Sequence, residues 1–175
     1  LKDPDIIEKL VKPHFEPDEK ATAGLKAKAE EALGGLIAVQ MHYGVLQNES
    51  MPLAHLAIQL RGLDNLMMDM YDRPEWTHRL MKFLIEAHDD EQSMLEKENK
   101  LLLNCYSTLY CTDELPAKDF DGVHIRRKDI WCDTEAQEFT SVSPALFDEF
   151  ILQYQLPVMK KFGLVSYGCC EDMTT

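Results

Sequence analysis

Polar and apolar residues follow helical spacing near the start of the chain. The stretch from Asp18 to Leu33 is rich in Ala, Lys and Glu, which are strong helix formers. Asp18 is a good N-cap residue, and two glycines, Gly34 and Gly35, follow the last helical position. The pattern therefore predicts a capped helix that ends at Leu33.

The middle of the chain predicts a longer helical region. Two short helices are expected to meet near Gly62, and Asp72 before Pro74 is the pattern of a capping residue and a first-turn proline. The helix that follows should run to about Asn99, because apolar residues recur along it at helical spacing. Its apolar positions are Trp76, Leu80, Phe83, Leu84, Ala87, Met94 and Leu95.

A last helix is predicted after Ser143 and Pro144, again a cap followed by a first-turn proline. Pro157 should kink this helix, since proline cannot donate the hydrogen bond of a helix interior. Its apolar stripe consists of Leu146, Phe147, Phe150, Ile151, Tyr154, Val158 and Phe162.

Four short apolar runs separate these helices and are typical of strands buried on both faces. They cover residues 36–41, 100–106, 129–136 and 163–168. The loop 107–127 is long, and loops of such length are usually functional or disordered. Because strands alternate with helices, the chain predicts an α/β fold with a parallel sheet.

Four strands suit either a small doubly wound sheet or about half of an eight-stranded (β/α)8 barrel, the TIM barrel. The length of 175 residues fits a single domain, 1–175. The chain contains neither a GxGxxG nor a GxxxxGK[ST] motif, which argues against the common nucleotide-binding folds.

Composition excludes several partners. A net charge of −13 argues against nucleic acid, which needs a basic face. The sequence has no apolar run of membrane-spanning length, and its start lacks the profile of a signal peptide. Five cysteines at spacings unlike a disulfide framework indicate a reducing compartment, so we expect a cytoplasmic protein.

Candidate site residues follow the predicted strands at their carboxyl ends, where parallel α/β folds bind ligands. The resulting rim is polar, acidic and sulfur-bearing, as expected for a metal or small-molecule site. In chain order, its members are His42, Tyr43, Tyr106, Asp133, Glu135, Gln137, Tyr167, Cys169, Cys170, Glu171 and Asp172.

The adjacent pair Cys169 and Cys170 raises two interpretations. Neighbouring strand residues point to opposite faces, so both sulfurs reach one ion only if the chain turns between them. A disulfide between adjacent residues is strained, whereas thiolates suit zinc, which activates a bound thiol as a nucleophile. The alternative is that these cysteines pack as small buried hydrophobic residues.

Other rim residues also leave alternatives open. Asp133 and Glu135 are either general acids or bases, or carboxylates of a solvated loop. His42 is a ligand, a proton carrier or a structural histidine. The basic run 126–128 either holds a carboxylate or phosphate or forms a solvated edge.

Two stretches resemble one known family. QLRGLDNLMMDMYDRPEWTHRLMKFL, residues 59–84, resembles the segment of uroporphyrinogen decarboxylase-like proteins in which a glycine-marked helix precedes an acidic, proline-started helix. DIWCDTEAQEFTSVSPALFDEFILQYQLPVMKKFG, residues 129–163, resembles that superfamily's strand, Ser-Pro turn and Phe-rich helix. TDELP and YGCCED make the chain similar to a branch near the corrinoid-linked methyltransferases.

The resemblance implies a (β/α)8 barrel of which this chain is a fragment, about half. It also implies a zinc-assisted transfer of a methyl group from a corrinoid to a thiol. The family's metal motif is His-x-Cys, and here Tyr167 or Gly168 stands at the histidine position. The ligands that the resemblance implies are then Cys169, Cys170 and Glu171, or one ligand comes from a part of the protein outside this sequence. A small-molecule thiol or a corrinoid protein would be the partner.

Two other functions fit the same sequence. The first is a metal-independent decarboxylase in which Asp133 and Glu135 position a tetrapyrrole-like or other carboxylic acid. The second is a non-catalytic module that binds a corrinoid or tetrapyrrole, or a truncated domain whose sheet edge drives self-association into a homo-oligomer.

Overall fold

A computed structural model describes residues 1–14, 16–41, 43, 50–104 and 114–168 of the chain. Three 3₁₀ turns (Pro4–Lys9, Arg127–Asp129 and Gln137–Phe139) and one π-helical turn (Asp148–Leu152) accompany the regular elements. The helices are α1 (Glu19–Leu33), α2 (Leu53–Arg61), α3 (Leu63–Asp72), α4 (Pro74–Lys97), α5 (Pro144–Phe147) and α6 (Gln153–Met159). The strands are β1 (Ser50–Met51), β2 (Trp131–Thr134) and β3 (Leu164–Tyr167).

The three strands form one parallel sheet in the order β1-β2-β3. Asp133 on the central strand is in register with Ser50 on one side and Ser166 on the other. The α/β class with parallel strands is therefore confirmed. Over the described ranges the sheet is open and does not close into a barrel.

Helix α4 is at the centre of the hydrophobic core. Leu80, Met81, Leu84, Ile85 and Leu95 are buried on it, and it packs against α2, α3 and α6. The stripe predicted from the sequence includes Leu80, Leu84 and Leu95 of this face and misses Met81 and Ile85. None of the described helices is long and apolar enough to cross a lipid bilayer.

Local sequence signals placed most helix starts correctly. The Asp18 carboxylate accepts a hydrogen bond from the Ala21 N–H at 2.9 Å, and the Ser143 hydroxyl accepts one from the Leu146 N–H at 3.4 Å. Helices α2 and α3 meet at Gly62, whose φ of +87° is readily adopted by glycine.

The predicted cap at Asp72 is wrong. Asp72 is the last residue of α3, and Arg73 occupies the N-cap position of α4 without a capping side-chain hydrogen bond. Pro74 is the first helical residue, as predicted. Only Arg73 separates the two helices, so Asp72 is still part of α3 and cannot occupy the N-cap position of α4.

The predicted strand at 36–41 is also wrong. Residues 34–37 form turns and a bend after α1, and 38–41 have no regular structure. Leu36 is 82% exposed and Ile37 60% exposed, so this apolar run is not in the core. In the described sheet the short strand β1 lies beside β2 instead.

Residues 100–104, the described part of the second predicted strand, are not a strand either. The side-chain amide of Asn104 replaces the expected pairing. Its Nδ2 donates to the Trp131 carbonyl at 3.1 Å, and its Oδ1 accepts from the Trp131 N–H at 2.9 Å. The segment thus contacts the start of β2 through a side chain that imitates a peptide group.

The described part of the long loop, 114–126, lies at the amino ends of the strands. The N–H of Ala117 donates to Asp129 at 3.2 Å, just before β2. A Cβ at Gly163, just before β3, would collide with the Lys128 carbonyl and the Leu115 side chain. This part of the loop therefore packs against the edge opposite the carboxyl-end rim.

Helix α6 contains Pro157, and the π-helical turn precedes it directly. Irregular turns of this kind commonly interrupt helices and recur at functional sites. Below the helix, Gln155 Nε2 donates to the Thr134 hydroxyl at 2.8 Å. This buried bond fixes the helix on one face of β2.

Candidate functional site

The carboxyl ends of the parallel strands form one edge of the sheet. Hydrogen bonding continues past β3, since the Gly168 N–H donates to the Thr134 carbonyl at 2.9 Å. Gly168 therefore leaves the sheet beside the end of β2. The next residue after Gly168 is Cys169, the first of the cysteine pair.

Asp133 is the acidic group nearest to this exit. A Cβ built at Gly168 would lie 3.5 Å from one Asp133 carboxylate oxygen and 3.9 Å from the other. The Asp133 side chain is half-buried. Its carboxylate thus reaches the chain directly before the cysteines, where it can accept hydrogen bonds or share a cation.

The other predicted rim residues of the described part do not all join Asp133. Glu135 follows the end of β2 by one residue and is half-buried, whereas Gln137 begins a 3₁₀ turn and is exposed. Tyr167 is in register with Thr134, and alternate strand residues point to opposite faces. Tyr167 and Asp133 therefore lie on different faces of the sheet.

Tyr167 instead lines a shallow apolar groove of about 380 Å³ on the helix side. Phe139, Phe147 and Leu152 line the same groove. Val165, also on this face of β3, is 38% exposed. A substrate bound near Asp133 would not touch Tyr167 across the sheet.

Six of the predicted site residues lie outside the described residues: His42, Tyr106, Cys169, Cys170, Glu171 and Asp172. Over the ranges that are described, no three His, Cys, Asp or Glu side chains group closely enough to hold a metal ion. The described part therefore contributes Asp133 to the rim, and the zinc interpretation depends on the residues that follow Gly168.

Cys132 is a contrasting cysteine. It is fully buried on the helix side of β2 and carries a free thiol. Burial, with a smaller contribution from Asp133, raises the pKa of this thiol to about 12. Since the thiolate is the reactive form, Cys132 is chemically inert in the folded protein.

The basic run 126–128 is used for structure. Arg126 bonds to Asp129 at 2.7 Å, and Lys128 bonds to Asp119 at 2.6 Å. It lies before β2, at the edge opposite the rim. The run thus bonds to carboxylates of the chain itself, and its Lys128–Asp119 pair lies on the solvent-exposed surface.

Arg127, the third basic residue, joins a network around Asp89 on α4. Its Nη1 donates to Asp89 at 2.7 Å, and Lys161 donates to the same carboxylate at 2.5 Å. Burial alone would raise the pKa of Asp89, but the bonds from Lys161 and Arg127 outweigh it and lower the pKa. The network fastens α4 to the segments that enter β2 and β3.

Sequence reasoning missed a polar chain between α4 and the π-helical turn. His78 Nδ1 lies 2.7 Å from the Tyr154 hydroxyl, and its Nε2 lies 3.3 Å from Glu149. Burial, and secondarily Glu149, raises the pKa of the Tyr154 phenol. His78 also stacks on Phe150 at a ring distance of 4.6 Å. These contacts join two helices.

Comparison of the chain with protein-family models, with curated proteins and with solved structures gives no match.

Proposed function

We propose that this chain forms part of a uroporphyrinogen decarboxylase-like (β/α)8 barrel whose parent protein is a zinc-assisted, corrinoid-linked methyltransferase. Two features support the proposal. The strands are parallel and the last two are joined through a helix, as in such barrels. The acidic residue Asp133 lies at the carboxyl edge, where barrel enzymes have their sites.

The observation that carries the proposal is the position of Asp133 beside Gly168. Both carboxylate oxygens lie within 4 Å of a Cβ placed at Gly168. A carboxylate thus adjoins the start of a Cys-Cys-Glu sequence, and carboxylate and thiolate are both zinc ligands. The described and the inferred parts of the site meet at this point.

In the proposed site, Cys169 and Cys170 hold the metal and Glu171 completes the set. Bound zinc lowers the pKa of a substrate thiol so that it is a thiolate at neutral pH. Asp133 and Glu135 orient the methyl donor or accept hydrogen bonds from the substrate. A small thiol or a corrinoid protein is the partner.

The proposal is tested by the zinc content of the purified chain after dialysis against zinc-free buffer. We expect close to one zinc per chain, and its loss in Cys170→Ser. Cys132→Ser is the matched control, because the Cys132 thiol is fully buried on the face of β2 opposite Asp133, so the substitution should leave the zinc in place. Circular dichroism of each variant shows that it is folded.

A second measurement addresses the methyl donor. The visible spectrum of methylcobalamin should change on addition of the protein, and Asp133→Asn should weaken that change. Metal-free protein that still releases carbon dioxide from a tetrapyrrole acid would contradict the proposal and favour the decarboxylase.

A further inference from the structure

Buried polar side chains in the described part of the chain are, with few exceptions, hydrogen-bonded. Arg61 pairs with Asp69, and Gln155 bonds to Thr134. Asn104 bonds to the backbone of β2. These pairings follow the general rule that a polar group removed from water needs a partner inside the protein.

His88 and Gln92 break this rule. His88 is 2% exposed and Gln92 is 0% exposed. Within the part of the chain that the structure describes, neither ring nitrogen of His88 and neither amide atom of Gln92 has a hydrogen-bond partner. The two residues are one turn apart on α4, so they share a face of the helix. Four unpartnered polar atoms thus lie together inside the protein.

Water in the cleft that His88 lines does not satisfy its ring nitrogens. The cleft beside His88 is lined by apolar side chains, among them Leu53, Leu56 and Leu84, and is too narrow to hold a water molecule. Burial lowers the pKa of His88 to about 4, so the imidazole is neutral and has one N–H and one free nitrogen. Leaving such groups unpaired is costly, and apolar residues at 88 and 92 would avoid the cost.

We propose that His88 and Gln92 form a binding site for a carboxamide-bearing ligand with an apolar body. A carboxamide pairs reciprocally with the amide of Gln92, because each amide has an N–H donor and a carbonyl acceptor. The neutral imidazole of His88 bonds to the ligand's remaining donor or acceptor. The site is separate from the rim and does not depend on the proposed function.

The apolar lining of the cleft receives the rest of the ligand. Its wall is made by Met51, Pro52 and Leu53 at the start of α2. Strand β1 has only two residues and α2 begins without a capping side chain, so few backbone bonds hold this wall. Ligand entry therefore requires the start of α2 to move outward.

A metal ion fits these groups less well. A cation would use only the acceptor atoms and would leave the two N–H donors of the Gln92 amide unpaired. In addition, the described residues contain no group of three His, Cys, Asp or Glu side chains that would hold an ion. The N–H donors and the acceptor atoms of His88 and Gln92 are complementary to those of a carboxamide.

Benzamide is the test probe, with toluene as the matched molecule that lacks the amide. We expect benzamide to shift the side-chain N–H₂ signal of Gln92 in an NMR titration, with a dissociation constant of order 1 mM. Binding should weaken about tenfold in Gln92→Met and in His88→Leu. Gln153→Met, an exposed amide on α6, should bind benzamide as the unaltered protein does.

The melting temperature distinguishes a binding role from a structural one. Without ligand, Gln92→Met and His88→Leu should melt at the same or a higher temperature than the unaltered protein, because they remove unpartnered polar groups. A lower melting temperature in both would show that the groups are paired within the protein and would overturn the proposal. So would benzamide binding that is absent, is equalled by toluene, or survives both substitutions.

Discussion

Arg61 makes a buried clamp whose removal should be strongly destabilising. Its guanidinium bonds to the Asp69 carboxylate at 2.6 and 3.4 Å, and both side chains are at most 5% exposed. Its Nη1 also donates to the carbonyls of Leu1 and Lys2 at 2.7 and 3.0 Å. Arg61 lies over the ring of Trp76, 5.3 Å from its centroid. One side chain thus joins the first residues of the chain to three helices.

Arg61→Met removes the charge and keeps most of the buried hydrocarbon. Breaking one partner of a buried ion pair costs about 3–5 kcal/mol, because the other charge stays buried. Arg73 lies 3.6 Å from Asp69 and is 46% exposed, so it compensates in part and places the cost near the lower limit. We expect a loss of about 3 kcal/mol, or roughly 6–12 °C in melting temperature for a chain of this length.

Urea unfolding followed by circular dichroism measures the loss. The double variant Arg61→Met/Asp69→Asn is the control, because it removes the stranded carboxylate charge and should recover at least half of the lost stability. Limited proteolysis should also cut the released segment 1–7 faster in Arg61→Met. An unfolding free energy within about 0.5 kcal/mol of the unaltered protein would refute the clamp.

Three further predictions concern titration and reactivity. Burial alone would raise the pKa of Asp129, but the hydrogen bonds from Arg126 outweigh it and lower the pKa. The free energy of unfolding should therefore decrease as the pH is lowered below about 4, and this decrease should be smaller in Asp129→Asn. The pKa of His88 is lowered to about 4, whereas the histidine of an unfolded chain has a pKa of about 6.5. The free energy of unfolding should therefore decrease by roughly 3 kcal/mol between pH 6.5 and 4. Urea unfolding of His88→Leu should not show this decrease. Cys132, whose thiol has a pKa of about 12, should resist iodoacetamide at pH ~8 until the protein is unfolded, as mapped by mass spectrometry.

Helix boundaries could be predicted from the sequence where a local signal is sufficient. The caps Asp18 and Ser143 and the break at Gly62 depend on a few neighbouring residues, so the sequence contains the information. Asp72 failed because its role depends on where the previous helix ends. A capping residue is identified only when both neighbouring elements are known.

Strand assignments failed where pairing decides the structure. The apolar run 36–41 has the composition of a buried strand, but a strand exists only if a neighbouring backbone accepts its hydrogen bonds. At 100–104 the Asn104 side chain, rather than the backbone, pairs with the start of β2, and the pattern of apolar and polar residues does not predict this pairing. Both errors concern contacts between residues that are far apart in the sequence.

In the candidate site, too, local sequence signals were sufficient for some residues and non-local structure decided the others. The rule that sites follow strand ends located Asp133, and the structure places it beside Gly168. Tyr167 was grouped with it because strand register, which separates their faces, is not visible in the sequence. A usable signal for His88 and Gln92 was present, since polar residues occupy positions four and eight after Leu84 on the buried stripe of α4.

The most direct test of the account is a comparison of bound zinc in three proteins: the unaltered chain, Cys169→Ser/Cys170→Ser and Cys132→Ser. The account predicts about one equivalent in the first and third proteins and none in the second. Equal zinc in all three, or no zinc in the folded unaltered chain, would contradict a metal site beside Asp133.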